Sequence, residues 1–286
     1  MPDENPIMLY WRSEVQVFTK NLLSLKEQMN EEAIHDLRVA VKKLRSCFKM
    51  YSGLIKKRHK KELLAGIDGL FSILGKHRNI EMSKKLLTSL GGKNTALLNP
   101  ILVYLQLLQD QAGEYGRSSI QKFEAKELEA MTTGMETGFE GLSNEEILPK
   151  ATEMVDASLK KVENDLKHFK ERSHQVRKQL KDTFYQSKML HDKSLLTKPQ
   201  LKILDTILDH LGSVQDYEVL ISNLKTFRKT ILTSKMKEFV MIKRIEARAK
   251  KKKEGLLDQA YDSTEELITQ YKENNLEPEA SEKQIV

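Results

Sequence analysis

The chain repeats itself, and any fold it adopts must accommodate the repetition. His35-Asp-Leu-Arg38 is answered by His174-Gln-Val-Arg177, an offset of 139 residues, and Leu74-Gly75 by Leu211-Gly212, an offset of 137. Asn79, Ile80 and Leu87 fall opposite Asp216, Tyr217 and Leu224. Offsets that agree so closely describe one unit duplicated at about 8–140 and 143–253. A helical solenoid would show shorter periods, roughly 20–50 residues.

The repeated unit is helical. Apolar residues recur at helical spacing over 8–30, 31–51, 61–74, 79–90 and 96–130, and again over 146–170, 173–190, 198–211, 216–232 and 235–271. Only 6 prolines and 13 glycines punctuate 286 residues, and the long stretches between them are rich in strong helix formers. No alternating strand pattern survives beside them. The expected class is all-α, with the clearest breaks at Gly-Gly-Lys-Asn 91–94 and between Gly134 and Pro149.

Charge is distributed unevenly. Nine acids against two lysines give residues 254–286 a charge of −7, and since the whole chain carries +7, residues 1–253 carry +14. Such a field attracts polyanions. The acidic extension keeps helical spacing from Leu257 to Tyr271, so a helix to about 271 followed by disorder is expected. A single cysteine, Cys47, forms no internal disulfide or cysteine metal cluster and is expected in the core. The amino terminus lacks the order of a signal peptide, and no apolar run reaches the roughly 18–20 residues that span a bilayer. These features point to a reduced, cytoplasmic protein without a membrane partner.

The basic residues are patterned. An α-helix turns about 100° per residue, so positions i, i+3, i+7, i+10 and i+14 share one stripe. His35, Arg38, Lys42, Arg45 and Lys49 occupy it, while Leu37, Val41, Leu44 and Phe48 form a separate packing face. In the second copy His174, Arg177, Lys178, Lys181, Tyr185 and Lys188 form a comparable face. A solvated helix intersperses opposite charges, because like charges at i+4 repel. Between His35 and Lys61, however, ten lysines and arginines face one acid, Asp36, which points to an external anion. A third stripe contains Lys237, Arg244 and Arg248. A histidine beside phosphate, once protonated, donates from both ring nitrogens. No metal-ligand or catalytic motif accompanies these residues, so neither a metal nor a cofactor is expected.

The residues "HDLRVAVKKLRS", with "LGKHRN" downstream, resemble the CHAD family, the histidine-bearing α-helical domain. His35, Arg38, Lys42, Lys43 and Arg45 match its motif, and "SHQVRKQLKDTFY" looks like a second copy through His174, Arg177, Lys178, Lys181 and Tyr185. "LGSVQDYEVL" resembles the family's Leu-Gly…Asp segment. The resemblance covers about 8–253. It implies two pseudo-symmetric four-helix bundles, with basic helix faces lining a cleft or pore that binds inorganic polyphosphate, and an association with polyphosphate granules. Three positions depart: Asp182 and Phe184 stand where the second copy would be basic, and Asn79 follows Arg78 where the first copy's Arg-Asp turn would carry Asp.

Three functions follow in order. The first is non-enzymatic polyphosphate binding, with lysines as point charges and Arg38, Arg45 and Arg177 making forked contacts. The second is a nucleic-acid binder that reads only the backbone. Single-strand binders stack bases on exposed aromatics, and here the stripes carry only Tyr185. The third is a phosphate-ester or polyphosphate-processing enzyme with an unrecognised site.

Overall fold

A computed structural model describes residues 5–55, 64–92, 95–124, 126–190 and 196–276. The described residues form α-helices and connecting turns, with no strand among them. In chain order the helices are α1 Pro6–Glu27, α2 Glu31–Ile55, α3 Ala65–Gly91, α4 Thr95–Lys122, α5 Lys126–Phe139, α6 Asn144–Asp165, α7 Phe169–Met189, α8 Lys198–Thr230 and α9 Lys237–Leu276.

Local chemistry sets several of the boundaries. Asn5 caps α1 by accepting from the Ile7 amide at 2.9 Å, with Pro6 in the first turn, where its missing N–H costs nothing. Asn30 does the same for α2 through the Ala33 amide at 2.7 Å, and Glu31 and Glu32 complement the positive helix end. Thr197 and Gln200 cap α8 reciprocally, the Thr197 amide donating to Gln200 Oε1 at 2.9 Å and the Gln200 amide to Thr197 Oγ1 at 3.4 Å. Past α3, Gly92 takes φ of 63°, a left-handed value that glycine adopts without strain.

The helices run longer than their sequence suggests. The segments read as 61–74 and 79–90 are one helix, α3, and those read as 198–211 and 216–232 are one helix, α8. Gly75 and Gly212 therefore lie inside helices rather than at turns, and at Gly75 the missing Cβ permits a close approach. Gly134 and Gly138 are likewise inside α5, not in a break: Tyr51 donates to the Gly134 carbonyl at 2.9 Å, and a Cβ on Gly138 would lie 2.1 Å from the Tyr51 hydroxyl. The reverse correction applies to 96–130, which divides into α4 and α5. The α9 helix persists to Leu276, and the expected disorder from 277 onward lies outside the described residues.

The described residues form two compact units, one drawn from 1–144 and 216–253, the other from 145–215 and 254–286. Sequence repeats and packing units thus differ, since residues 216–253 of the second copy pack within the first unit. In that unit Trp11, Phe18, Leu37, Val41, Leu44 and Leu74 are buried, and a second cluster joins Leu87, Leu98, Ile101 and Leu105 to Leu224, Phe227, Ile242 and Ile245. Cys47 is in this core, as expected, its thiol raised by burial and donating to the Ile7 carbonyl at 3.6 Å. The other unit buries Val155, Leu159, Val176, Leu180, Leu204, Leu211, Leu257 and Leu267, and stacks Phe169 edge-on against Tyr261. No helix of the described residues is long and apolar enough to cross a membrane.

Candidate functional site

In the first unit α2 packs against α1 and α3. Leu37, Val41, Leu44 and Phe48 are buried, as the periodicity requires, and this orients the opposing stripe. Arg38 stands at its centre and is only 9% exposed. Its Nη1 donates to the Phe71 carbonyl at 2.5 Å, and its guanidinium lies 4.1 Å from the centre of the Phe71 ring. The Arg45 guanidinium lies 4.2 Å from the same ring, so one aromatic side chain carries two cations on its π-system. Gly75 makes room for Arg38: a Cβ there would lie 2.6 Å from Nη1.

Arg78 adds a third cation and pairs with Asp216 at 3.0 Å. Burial pushes the Arg38 guanidinium down to about 10, with Arg78 and Arg45 adding like-charge repulsion and Asp216 opposing it. Arg38 remains charged at neutral pH. The site is thus a concentration of positive charge held together by one ring, one carbonyl and two carboxylates, Asp68 and Asp216. His35 and Lys49 are exposed on the same helix, and Lys42 is half-buried.

Internal counterions reach α2 from outside the stretch in which acids were counted. Glu14 of α1, 5% exposed, holds Lys43 Nζ at 2.7 Å, and Asp68 of α3 holds Arg45 at 2.5 Å. The expectation that nothing internal neutralises this helix is corrected: both partners are distant in sequence and close in the fold. Lys43 is thereby turned toward α1.

The second unit presents a related but weaker arrangement on α7. His174 Nδ1 is 3.1 Å from Gln215 Oε1. Arg177 faces Gly212 as Arg38 faces Gly75, with 3.8 Å between a Cβ on the glycine and Nη2. Lys178 and Lys188 are exposed and Lys181 is half-buried. Phe184, one of the departures from the family pattern, is a buried residue whose ring carries Lys188 Nζ at 4.1 Å. Asp182, another departure, is half-buried.

The third stripe lies on α9 in the first unit. Lys237, Arg244 and Arg248 are all exposed. Arg248 donates to the Leu90 carbonyl at 2.9 Å, closing the end of α3 where a cation is favoured. Among the described residues no three His, Cys, Asp or Glu side chains gather as metal ligands.

Sequence reasoning singled out Arg38 and Arg45 but missed Phe71 and the Arg78–Asp216 pair. The signal was the recurring Leu-Gly dipeptide, since each glycine faces its copy's motif arginine within one unit.

The chain resembles the crystal structure of the CHAD domain from the plant Ricinus communis, with a TM-score of 0.70 at 16% identity, covering 91% of this chain and 90% of that one. It also resembles PptA from Streptomyces chartreusis, with a TM-score of 0.71 at 14% identity, covering 93% and 100%. At such identities the likeness concerns the fold. No curated protein matches the chain. The family model described as CHAD domain matches residues 10–225, which include both His-x-x-Arg motifs and both glycine sockets, and the chain belongs to that family.

Proposed function

We propose that the protein binds inorganic polyphosphate without consuming it. The observation that carries this reading is the pair Arg38 and Arg45 on the Phe71 ring, with Arg78 close enough to Arg38 to repel it and, among the described residues, Asp68 and Asp216 as the paired carboxylates, beside His35, Lys42 and Lys49 on the same helix as Arg38. A chain of phosphates supplies the negative charge that this cluster lacks, at a spacing that several cations can follow. His174, Arg177, Lys178, Lys181 and Lys188 offer a second basic face to the same ligand, and Lys237, Arg244 and Arg248 a third. Two pseudo-symmetric four-helix bundles with the basic helices lining one pore, as the family resemblance implies, belong to this proposal, as does a place on cytoplasmic polyphosphate granules.

Phe71 argues against single-stranded nucleic acid as the ligand. Base-stacking proteins leave aromatic faces open, whereas this ring is engaged by two guanidiniums. Duplex backbone binding is separated by experiment. Labelled long-chain polyphosphate is bound at physiological salt and competed with unlabelled polyphosphate or duplex DNA of equal total charge. Polyphosphate should compete at far lower concentration, and no orthophosphate should appear on incubation with or without divalent metal. Arg38→Gln with Lys42→Gln should weaken binding about tenfold or more, given roughly 1.5–3 kcal/mol per charge-assisted hydrogen bond. The exposed pair Lys20→Gln with Lys122→Gln, equal in charge, should change it far less. Equal competition by DNA, or equal loss in both variants, contradicts the reading.

A further inference from the structure

The end of α8 and the start of α9 form a hairpin in the first unit, joined by residues 231–236. Its turn is held by backbone bonds from the Ile231 amide to Phe227 at 2.9 Å and from the Met236 amide to Thr233 at 3.1 Å. Leu232 packs inward against the cluster of Phe227, Ile242 and Ile245. Its neighbours do not follow it. Ile231 is 52% exposed, Met236 41% and Val240, one turn into α9, 47%. Three large apolar side chains thus stand in water within ten residues at the tip of a helical hairpin.

The same tip is strongly basic. Lys225 and Lys229 on α8, Lys235 in the turn, and Lys237, Lys243 and Arg244 on α9 are exposed, and none pairs with a carboxylate of the described residues. The nearby acids are accounted for. Glu246 is 6% exposed and holds Arg228 at 3.4 Å and Lys250 at 3.1 Å, and Glu238 is half-buried. Phe239, between the apolar residues, is covered by Lys243 Nζ at 5.0 Å and the Arg228 guanidinium at 5.4 Å, so the exposed apolar set is aliphatic and thioether rather than aromatic.

Each half of this pattern excludes a ligand. A bare polyphosphate chain has nothing apolar to receive Ile231, Met236 and Val240. A single-stranded nucleic acid would use aromatic faces, which the tip does not offer, and a duplex held by its phosphates leaves the apolar residues unused. A surface carrying negative headgroups over hydrocarbon uses both halves at once, since interfacial attachment scales with inserted apolar area and with basic residues near anionic lipid.

We propose that the α8–α9 tip docks on the surface of an anionic lipid bilayer, with Ile231, Met236 and Val240 entering the headgroup–acyl boundary and the surrounding lysines meeting headgroups. A peripheral contact of this kind needs no spanning helix. The expectation of no membrane partner rested only on the lack of a spanning segment. The tip shares Lys237 and Arg244 with the third basic face of the polyphosphate reading, but the variants below leave both in place, so failure here leaves that reading standing.

The test is cosedimentation of the full chain with vesicles of phosphatidylcholine alone or mixed with phosphatidylserine. The protein should partition onto the mixed vesicles and not onto phosphatidylcholine. Ile231→Ser with Val240→Ser, which keeps every charge, should weaken partitioning about tenfold or more through lost apolar burial. Lys229→Gln with Lys235→Gln should weaken it too, and helical content should be unchanged in both variants. No partitioning onto mixed vesicles overturns the proposal. So does wild-type partitioning by the Ile231→Ser/Val240→Ser variant, which would make the tip a polyanion surface only. Tighter binding of soluble polyglutamate than of mixed vesicles, lost in the same apolar variant, would assign the tip to an acidic protein instead and equally overturns it.

Discussion

Two basic residues five positions from each other on α2, Arg38 and Lys43, match the same family motif yet sit in opposite surroundings. Arg38 lies at the Phe71 cluster among like charges, where burial and its neighbours bring it down to about 10 and an arriving anion would relieve the repulsion. Lys43 already has its anion: Glu14, 5% exposed, at 2.7 Å. Removing one partner of a largely buried pair leaves the other charge uncompensated and is strongly destabilising. Lys43→Met should therefore lower unfolding free energy by about 2–3 kcal/mol in urea titration, with polyphosphate affinity within about twofold of wild type. A large loss of affinity at unchanged stability would return Lys43 to the binding face.

At the scale of elements, the two interior glycines make opposite predictions despite equivalent positions in the repeat. Alanine inside a helix is favoured over glycine by about 1 kcal/mol. At Gly212 the added Cβ would meet Arg177 at an ordinary 3.8 Å, so Gly212→Ala should raise the melting temperature and leave binding unchanged. At Gly75 the Cβ would lie 2.6 Å from Arg38 Nη1, and the flexible end of that arginine must move before the backbone does. Gly75→Ala should then weaken polyphosphate binding several-fold by displacing Arg38 from the Phe71 carbonyl, with little change in stability. Calorimetry and ligand titration on the two variants check both halves, and loss of binding in Gly212→Ala alone would contradict the assignment. These glycines also mark where sequence reading stopped. Helical class, and the packing face of Leu37, Val41, Leu44 and Phe48, follow from periodicity within one helix. A glycine's role depends on the helix opposite, so Gly75 and Gly212 read only as repeat markers, and α3 and α8 as two helical segments each. Glu14, Asp68 and Asp216 escaped for the same reason, because a counterion supplied by another helix leaves no mark in the local pattern.

For the whole molecule, the question is whether a polyanion is held by sites or by a field. Residues 1–253 carry +14 against −7 beyond them, enough to draw any polyanion toward the protein. Such a field is screened over about 10 Å at 0.1 M salt and about 3 Å at 1 M, whereas close contacts to phosphate persist and appear as released counterions. The logarithm of affinity for polyphosphate should fall linearly with the logarithm of salt concentration, with a slope of about 0.7 for each phosphate neutralised, taking single-stranded nucleic acid as the analogue. Arg38→Gln with Lys42→Gln should reduce that slope by about 1–1.5, and Lys20→Gln with Lys122→Gln should leave it nearly unchanged. Affinity should also rise with polyphosphate length while further basic faces remain to be reached, then level off per molecule, with orthophosphate and pyrophosphate binding far more weakly. Labelled polyphosphates of defined length, titrated by fluorescence anisotropy at a series of salt concentrations, measure both dependences. If the two variants reduce the slope alike and affinity grows in proportion to length without levelling, the protein holds its ligand by diffuse charge and the Phe71 cluster is not a site.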